Sequence, residues 1–529
     1  MYDGAMKTAL PAFVLAILLV AGFAARYFSM QEPIWLDECH TAWTVADDFE
    51  SVAPRARLGN QPPLFFWLTW LAKDQCGHSV FSLRLVSLVA SCLMMVGGAG
   101  WAWRVGSPAA ACVFVGLVAF DGNFIFYGAE GRCYALVQFL SLLQGICFWR
   151  ICRREFVGES PPWITWIAWG LLSVLMLGSH YMSGLLLAAE LIFVAGCCCC
   201  RCCGNGMGTL VRLAGGLVAI GICLLPLVGG ITEVANRKDN WRPVSSSFQL
   251  WIDYRPWLLC WMLLPLAAKL GSAFGLGSPV GVAGIAESGE AESHRQGNDR
   301  TLLIWLGVWA VTGPLALAVA SRSGLAPVAL ARYAIVSWAA FALFASICVC
   351  RFRGSGAFCV AVLVIVSAFL GQDRNWMTRL INGRAMPAFR SEDWVTAAQH
   401  VASSPQNETV FLFADVVEDA AVSSNADEDF QQYLKFSLLG PMSLLPRDQR
   451  VDEAQLVVMS TRKPVFDQQQ LEKVRREGGC AMVVRGSEGF ARSFPVELED
   501  ALGQRGVYRV THRRGFDNVW VIDVKLEEE

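Results

Sequence analysis

The chain has 529 residues, 54% of them hydrophobic and 17% charged, with 20 Trp and a mean hydropathy of +0.42. That balance is too apolar for a soluble globular protein of this size and predicts a polytopic membrane protein. The net charge of -2 carries no basic surplus, so no nucleic acid is expected as partner.

The apolar run 8–28 follows Lys7 in the manner of a signal peptide, with small residues at Ala24 and Ala25. A bilayer crossing needs about 20 residues and a signal core only roughly 7–15, so the run predicts a retained first span. Directly behind it stands Pro33-Ile34-Trp35-Leu36-Asp37-Glu38. Acidic groups at membrane depth are costly to place and usually line a cavity, ion path or substrate site. The run 62–72, with Trp67 and Trp70, is too short to cross and predicts a helix on the membrane surface within the first loop, 29–79.

Further runs at 80–103, 108–127, 131–150, 162–179, 181–200, 208–230, 255–277, 301–320, 330–350 and 355–370 bring the expected total to about eleven transmembrane helices. With the N-terminus inside, the cytoplasmic loops hold Arg104, Arg150, Arg153, Arg154, Arg201, Arg351 and Arg353, as the positive-inside rule asks. Arg55, Arg57, Arg237, Lys238 and Arg242 fall on the opposite side, where an anionic ligand would account for them. The 19 cysteines lie mostly inside apolar runs and behave as small hydrophobes. The cluster Cys197–Cys203 is read as a thiol-rich interfacial segment, with metal binding or lipid attachment as the alternatives.

Residues 271–300, rich in Gly, Ala, Ser and Glu, predict a flexible cytoplasmic linker. After Gly371 the composition turns polar. Strand-like runs at 409–413, 455–459, 481–484 and 519–522 alternate with helical stretches at 392–401 and 467–476. They predict a small α/β domain at 371–529, outside the cytoplasm by the span count, behind a membrane domain at 1–370.

On this topology the unusual polar residues share one side. Asp37 and Glu38 follow span one, Arg84 opens span two, and Glu130, Arg132 and Tyr134 lie between spans three and four. His180 and Tyr181 end span five, and Arg332 and Tyr333 open span ten. Together they would line one cavity at the outer leaflet, with carboxylates for proton transfer and guanidiniums for a phosphate. Glu190, inside span six, is expected to be paired within the bundle.

The acidic pair, Gln61-Pro62-Pro63-Leu64-Phe65-Phe66-Trp67-Leu68, Arg84-Leu85-Val86-Ser87, Tyr127-Gly128-Ala129-Glu130-Gly131-Arg132-Cys133-Tyr134-Ala135-Leu136 and Ser179-His180-Tyr181 occur in that order. The set resembles the GT-C superfamily of integral-membrane glycosyltransferases, within it the protein mannosyltransferase and aminoarabinose transferase-like group, over residues 1–370. The resemblance implies a polyprenyl-phosphate-linked sugar donor and an acceptor glycan, lipid or protein outside the cytoplasm, in the cell envelope. It makes Asp37 the base that deprotonates an acceptor hydroxyl, or a metal ligand, with Glu38 and Glu130 as further catalytic candidates. Inversion at the anomeric carbon would release polyprenyl phosphate to Arg132, Arg84, Arg332 and Tyr333, while Gln61, Tyr134, His180 and Tyr181 contact substrate. Related chains often carry Lys or His before the Pro-Pro pair, where this one has Gln61. Two carboxylates and a histidine could hold Mg²⁺ or Mn²⁺, yet the same groups can act without one. The competing reading is a multi-span transporter or lipid flippase. Against it stand the absence of an internal repeat and the gathering of polar residues at one membrane face. A third reading is a receptor whose external α/β domain does the binding.

Overall fold

The structure, a computed structural model, describes residues 2–199, 206–230, 232, 289–323, 331–349, 392–403, 409–414, 433–461, 464–503, 508–516 and 518–526. Five of its helices are long and apolar enough to cross a membrane: Ala9–Ser29, Val80–Val105, Tyr134–Phe156, Tyr181–Cys199 and Arg300–Arg322. Pro108–Phe120 and Gly122–Gly128 meet at 70° and supply a sixth if the pair is one bent span. The shorter apolar helices Trp163–Leu177, Gly208–Cys223 and Arg332–Cys348 fall on three further predicted spans. The runs 255–277 and 355–370 lie outside the described residues. The chain is thus a multi-pass membrane protein.

The helices of the first half are α1 (Tyr2–Ser29), α2 (Leu36–Thr44), α3 (Phe49–Leu58), α4 (Leu64–Cys76), α5 (Val80–Val105), α6 (Pro108–Phe120), α7 (Gly122–Gly128), α8 (Tyr134–Phe156), α9 (Trp163–Leu177), α10 (Gly184–Cys199) and α11 (Gly206–Cys223). A helix, α4, occupies most of the run 62–72 where one was expected. Span three is broken where the apolar run promised continuity, and Asp121 explains the break. Its backbone N–H closes α6 on the Leu117 carbonyl at 3.0 Å, while its Oδ1 accepts the Phe124 N–H at 3.0 Å and so opens α7. The linker expected at 271–300 is helical from Gly289, as the start of α12 (Gly289–Arg322); its earlier part lies outside the described residues.

Two compact units divide the chain, and not where composition put the boundary. One comprises residues 1–30 and the membrane helices from Ser87 onward; in the other, residues 31–86 join residues 389–529. Inside the first, α1 packs on α6, α8 on α9, and α10 on α12. Close approach there is steric: a Cβ on Gly145 of α8 would stand 2.6 Å from the Trp309 ring of α12.

The second unit is built on a five-stranded sheet of order β2-β1-β3-β5-β4, from β1 (Val410–Phe413), β2 (Leu456–Val458), β3 (Gly479–Arg485), β4 (Tyr508–Phe516) and β5 (Val519–Leu526). β1 runs parallel to β2 and β3, whereas β5 is antiparallel to β3 and β4, with a bulge between Val510 and His512. Alternation along the strands sends successive side chains to opposite faces. Phe411, Phe413, Met482, Val484 and Ile522 build one core with Leu471, Val474, Phe494 and Leu498. Val410, Leu412, Ala481, Val483 and Val521 build the other, against Trp394, Ala397 and Val401 and, from the first loop, Ile34, Leu36, Cys39 and Trp43. This second face draws on the first loop as well as on the C-terminal residues. The loop expected to belong to a 1–370 membrane domain completes an apolar core of the sheet, because α2 is buried over all but one of its nine residues.

Candidate functional site

Asp37 and Glu38 sit in the first turn of α2, where carboxylates suit the positive end of the helix dipole. Their neighbouring positions in the sequence give them different environments. Asp37 is half-buried, whereas Glu38 is fully buried. The Trp35 N–H donates to Glu38 Oε2 at 3.4 Å, and Arg84 reaches both Glu38 oxygens, Nε to Oε1 and a terminal nitrogen to Oε2, each at 2.6 Å. Arg84 is itself fully buried and also donates to the carbonyls of Glu32 at 2.6 Å and Pro33 at 3.0 Å. This bidentate pair, with the two carbonyl contacts, ties the segment 32–35 to the helix start. It engages the guanidinium that the sequence put forward for the donor phosphate.

The other end of α2 is closed as firmly. Lys73 Nζ on α4 donates to the carbonyls of Val45, Ala46 and Asp47 at 2.6–2.8 Å, and an Arg55 terminal nitrogen donates to the Trp43 carbonyl at 2.8 Å. Cations at a helix C-terminus satisfy its orphan carbonyls. Burial holds the Lys73 ammonium below its ordinary pKa, offset by Asp47 and Asp74. Gln61 is half-buried in the same unit and follows Asn60, whose φ of 57° makes the turn into the Pro62-Pro63 pair. The Cys39 thiol is pushed well up by burial, with the carboxylates of Glu392 and Glu38 adding to the effect, so it is a neutral core group.

The remaining candidates belong to the first unit, where a short turn, Gly128 to Cys133, joins α7 to α8. Glu130 is fully buried and Arg132 nearly so. The Arg132 carbonyl accepts from Ser87 Oγ at 2.9 Å, fixing the turn to α5. Tyr134 opens α8 and meets His180 at a ring separation of 5.7 Å; His180 in turn lies 6.0 Å from Tyr333. Tyr127 adds contacts to Tyr134 at 5.0 Å and to Trp338 at 5.5 Å. His180 caps the short turn that opens at Tyr181, its Nδ1 accepting the Met182 N–H at 3.2 Å. Arg132 and Arg332 are both within electrostatic reach of His180 and, with Glu130, of Cys133. Residues about 200 positions apart thus converge: Glu130, Arg132, Tyr134, His180, Arg332 and Tyr333 form one group. Tyr181 follows it in the chain and is half-buried.

Glu190 has the partners expected of a buried acid. Both its oxygens accept from the Trp169 indole, at 3.1 and 3.2 Å, beside Gln144 and Ser173, themselves bonded at 3.2 Å. Sequence reading passed over Arg26, which is fully buried in α1 and donates to Ser91 and to the carbonyls of Gly22, Val118 and Phe124. An arginine at the end of an apolar run looks like an interfacial anchor, and only the neighbouring helices reveal a structural tie. As for a divalent ion, both oxygens of Glu38 are bonded to Arg84, and among the described residues no three His, Cys, Asp or Glu side chains converge as a metal site needs.

No protein-family model matches the chain, and no curated protein matches it. Solved structures do. The fold is shared with a solved aminoarabinose transferase, a protein of the group that the order of motifs resembles. The crystal structure of ArnT from Cupriavidus metallidurans bound to undecaprenyl phosphate is similar over 98% of this chain and 98% of its own, with a TM-score of 0.52 and 13% sequence identity. An oligosaccharyltransferase from Archaeoglobus fulgidus, in complex with zinc and sulfate, matches 96% of this chain and 72% of its own at a TM-score of 0.48 and 12% identity.

Proposed function

We propose that the protein transfers a sugar from a polyprenyl-phosphate-linked donor to an acceptor hydroxyl on the extracytoplasmic side of the cell membrane, with inversion at the anomeric carbon. The observation that supports this most is the convergence of Arg132 and Arg332 on His180 and Tyr333 within a GT-C fold. Guanidiniums held at fixed positions in a low-dielectric surrounding suit the phosphate that leaves as the glycosidic bond breaks. ArnT was crystallised with undecaprenyl phosphate, which agrees with a lipid phosphate as one product.

Asp37 takes the proton of the attacking hydroxyl as its oxygen bonds to the anomeric carbon. Such a base typically contributes about 10²- to 10⁴-fold in rate. Glu38 and Arg84 act through position: with each other as partners, they set the turn from which Asp37 projects. Arg132 and Arg332 receive the developing phosphate charge, and Tyr333 and Tyr134 offer ring faces and hydroxyls to the donor. Glu130 orients the turn that carries Arg132. Gln61, His180 and Tyr181 contact substrate. The acceptor is a glycan, lipid or protein hydroxyl.

The test is transfer by purified protein in lipid vesicles, supplied with polyprenyl-phosphate-linked sugars and a panel of acceptors. Asp37→Asn is expected to lower turnover by about 10²-fold or more while leaving donor affinity near wild type. Transfer by Asp37→Asn at the wild-type rate would remove Asp37 as the base. Failure with every donor, together with measured movement of a lipid or solute, would favour a flippase or transporter.

A further inference from the structure

Glu392 lies 355 positions beyond Asp37 in the chain, yet its carboxylate closes the start of the helix that carries Asp37. Its Oε2 accepts the Leu36 N–H at 3.1 Å and the Trp394 indole N–H at 2.7 Å. Its Oε1 is held by Arg485, through Nε and a terminal nitrogen, both at 2.8 Å. Leu36 is the first residue of α2, and the first N–H groups of a helix have no partner within it. The residue before Leu36 is Trp35, which has no side-chain acceptor to serve as the usual cap. The acceptor therefore comes from the α/β domain, from the residue that precedes Asp393 and α13 (Trp394–Ser403), braced by the last residue of β3.

A second contact fixes the same helix from the side. On the helix Phe436–Ser443, Gly440 stands so close to α2 that a Cβ there would lie 2.0 Å from the Cys39 carbonyl oxygen. Trp43 and His40 of α2 pack against Tyr433 and Phe436, with ring separations of 5.4–6.1 Å. The α/β domain thus holds α2 along its length and caps its first turn.

We propose that Glu392, braced by Arg485, is a positioning residue for Asp37, so that the C-terminal domain sets the orientation of the catalytic carboxylate. The kinetic part of this inference rests on Asp37 being the base. A misplacement of about 1 Å costs on the order of 10²-fold in rate when a reacting group must be aligned.

The experiment has two arms, both on the full-length purified protein. In the first, amide hydrogen exchange is followed by mass spectrometry in a peptide spanning residues 34–44. In Glu392→Ala the amides at the start of α2 are expected to exchange about 10-fold faster or more, with peptides from α8 unchanged. In the second arm, transfer kinetics are expected to show a 10- to 100-fold lower kcat with donor KM within twofold of wild type. Glu392→Gln retains an acceptor oxygen and is expected to recover much of both losses. Arg485→Ala, which leaves Glu392 in place but unbraced, is expected to fall between, and it serves as the informative variant if Glu392→Ala does not fold. Wild-type exchange in the 34–44 peptide of Arg485→Ala and Glu392→Ala, or a raised KM with unchanged kcat, would overturn the proposal. Absence of transfer by the wild type would overturn the glycosyltransferase reading instead, and the exchange arm would still report on Glu392.

Discussion

Replacing Arg84, near the start of α5, by alanine should be among the most damaging single changes in the chain. Arg84 and Glu38 are both fully buried and joined by two 2.6 Å hydrogen bonds, with two further bonds from Arg84 to the carbonyls of Glu32 and Pro33. Arg84→Ala leaves a carboxylate in the interior without its cation and removes donors from both carbonyls. Breaking a buried pair from one side costs about 3–5 kcal/mol. For a cooperative unit of roughly 150–250 residues, each kcal/mol lowers Tm by about 2–4 °C, so a drop on the order of 6–20 °C is expected. The measurement is thermal unfolding of purified protein in detergent, followed by tryptophan fluorescence. The double variant Glu38→Gln with Arg84→Met should melt above Arg84→Ala, because it removes the stranded charge while keeping volume. A melting point for Arg84→Ala within about 2 °C of wild type would refute the reasoning, as would a double variant less stable than the single.

Two other expectations concern stability. His78 Nε2 lies 2.8 Å from Ser443 Oγ, and burial, with Lys73 and Arg450 nearby, pushes its pKa from 6.5 down to about 4. The folded chain therefore refuses a proton that the unfolded chain accepts. Stability should be fully present above pH 6.5 and decline between pH 6.5 and 4, by up to ~1.4 kcal/mol per pH unit. His78→Asn should flatten that stretch of the Tm-against-pH curve, and an unchanged slope would refute the assignment. In the first unit, Gly145→Ala would drive a methyl to 2.6 Å from the Trp309 ring, an overpacking worth about 1–3 kcal/mol. Its lower Tm should be partly restored by adding Trp309→Phe, and a neutral Gly145→Ala would show that α8 and α12 are less closely packed.

Much of this architecture was legible in local pattern. Membrane spans announce themselves because an apolar run of span length has few alternatives, and α4, β1, β3 and β5 follow from run length or alternation. Asp121 shows where such reading stops: a single capping carboxylate inside an apolar run breaks a span that hydropathy draws as continuous. The strand β4 was missed because its sequence, Tyr508–Phe516, contains His, three Arg and Gly, and pairs with β5 across a bulge. Among the candidate residues, Arg132, Tyr134, His180, Arg332 and Tyr333 were named from order in the chain, and the structure brings them into one group. The bidentate pairing of Arg84 with Glu38 was not legible, since the sequence could not reveal that Glu38 is fully buried while its neighbour Asp37 is half-buried.

By itself the sequence determined that this is a multi-pass membrane protein, that an acidic pair follows its first span, and that its tail alternates strands with helices. These properties depend on residues close together in the chain. The tertiary structure alone decided that the first loop belongs with the tail, that Glu38 is occupied by Arg84, and that Glu392 caps the helix of Asp37. Each of those outcomes is a choice among distant partners, made by the need to bury apolar surface and to satisfy every charge and N–H that burial removes from water.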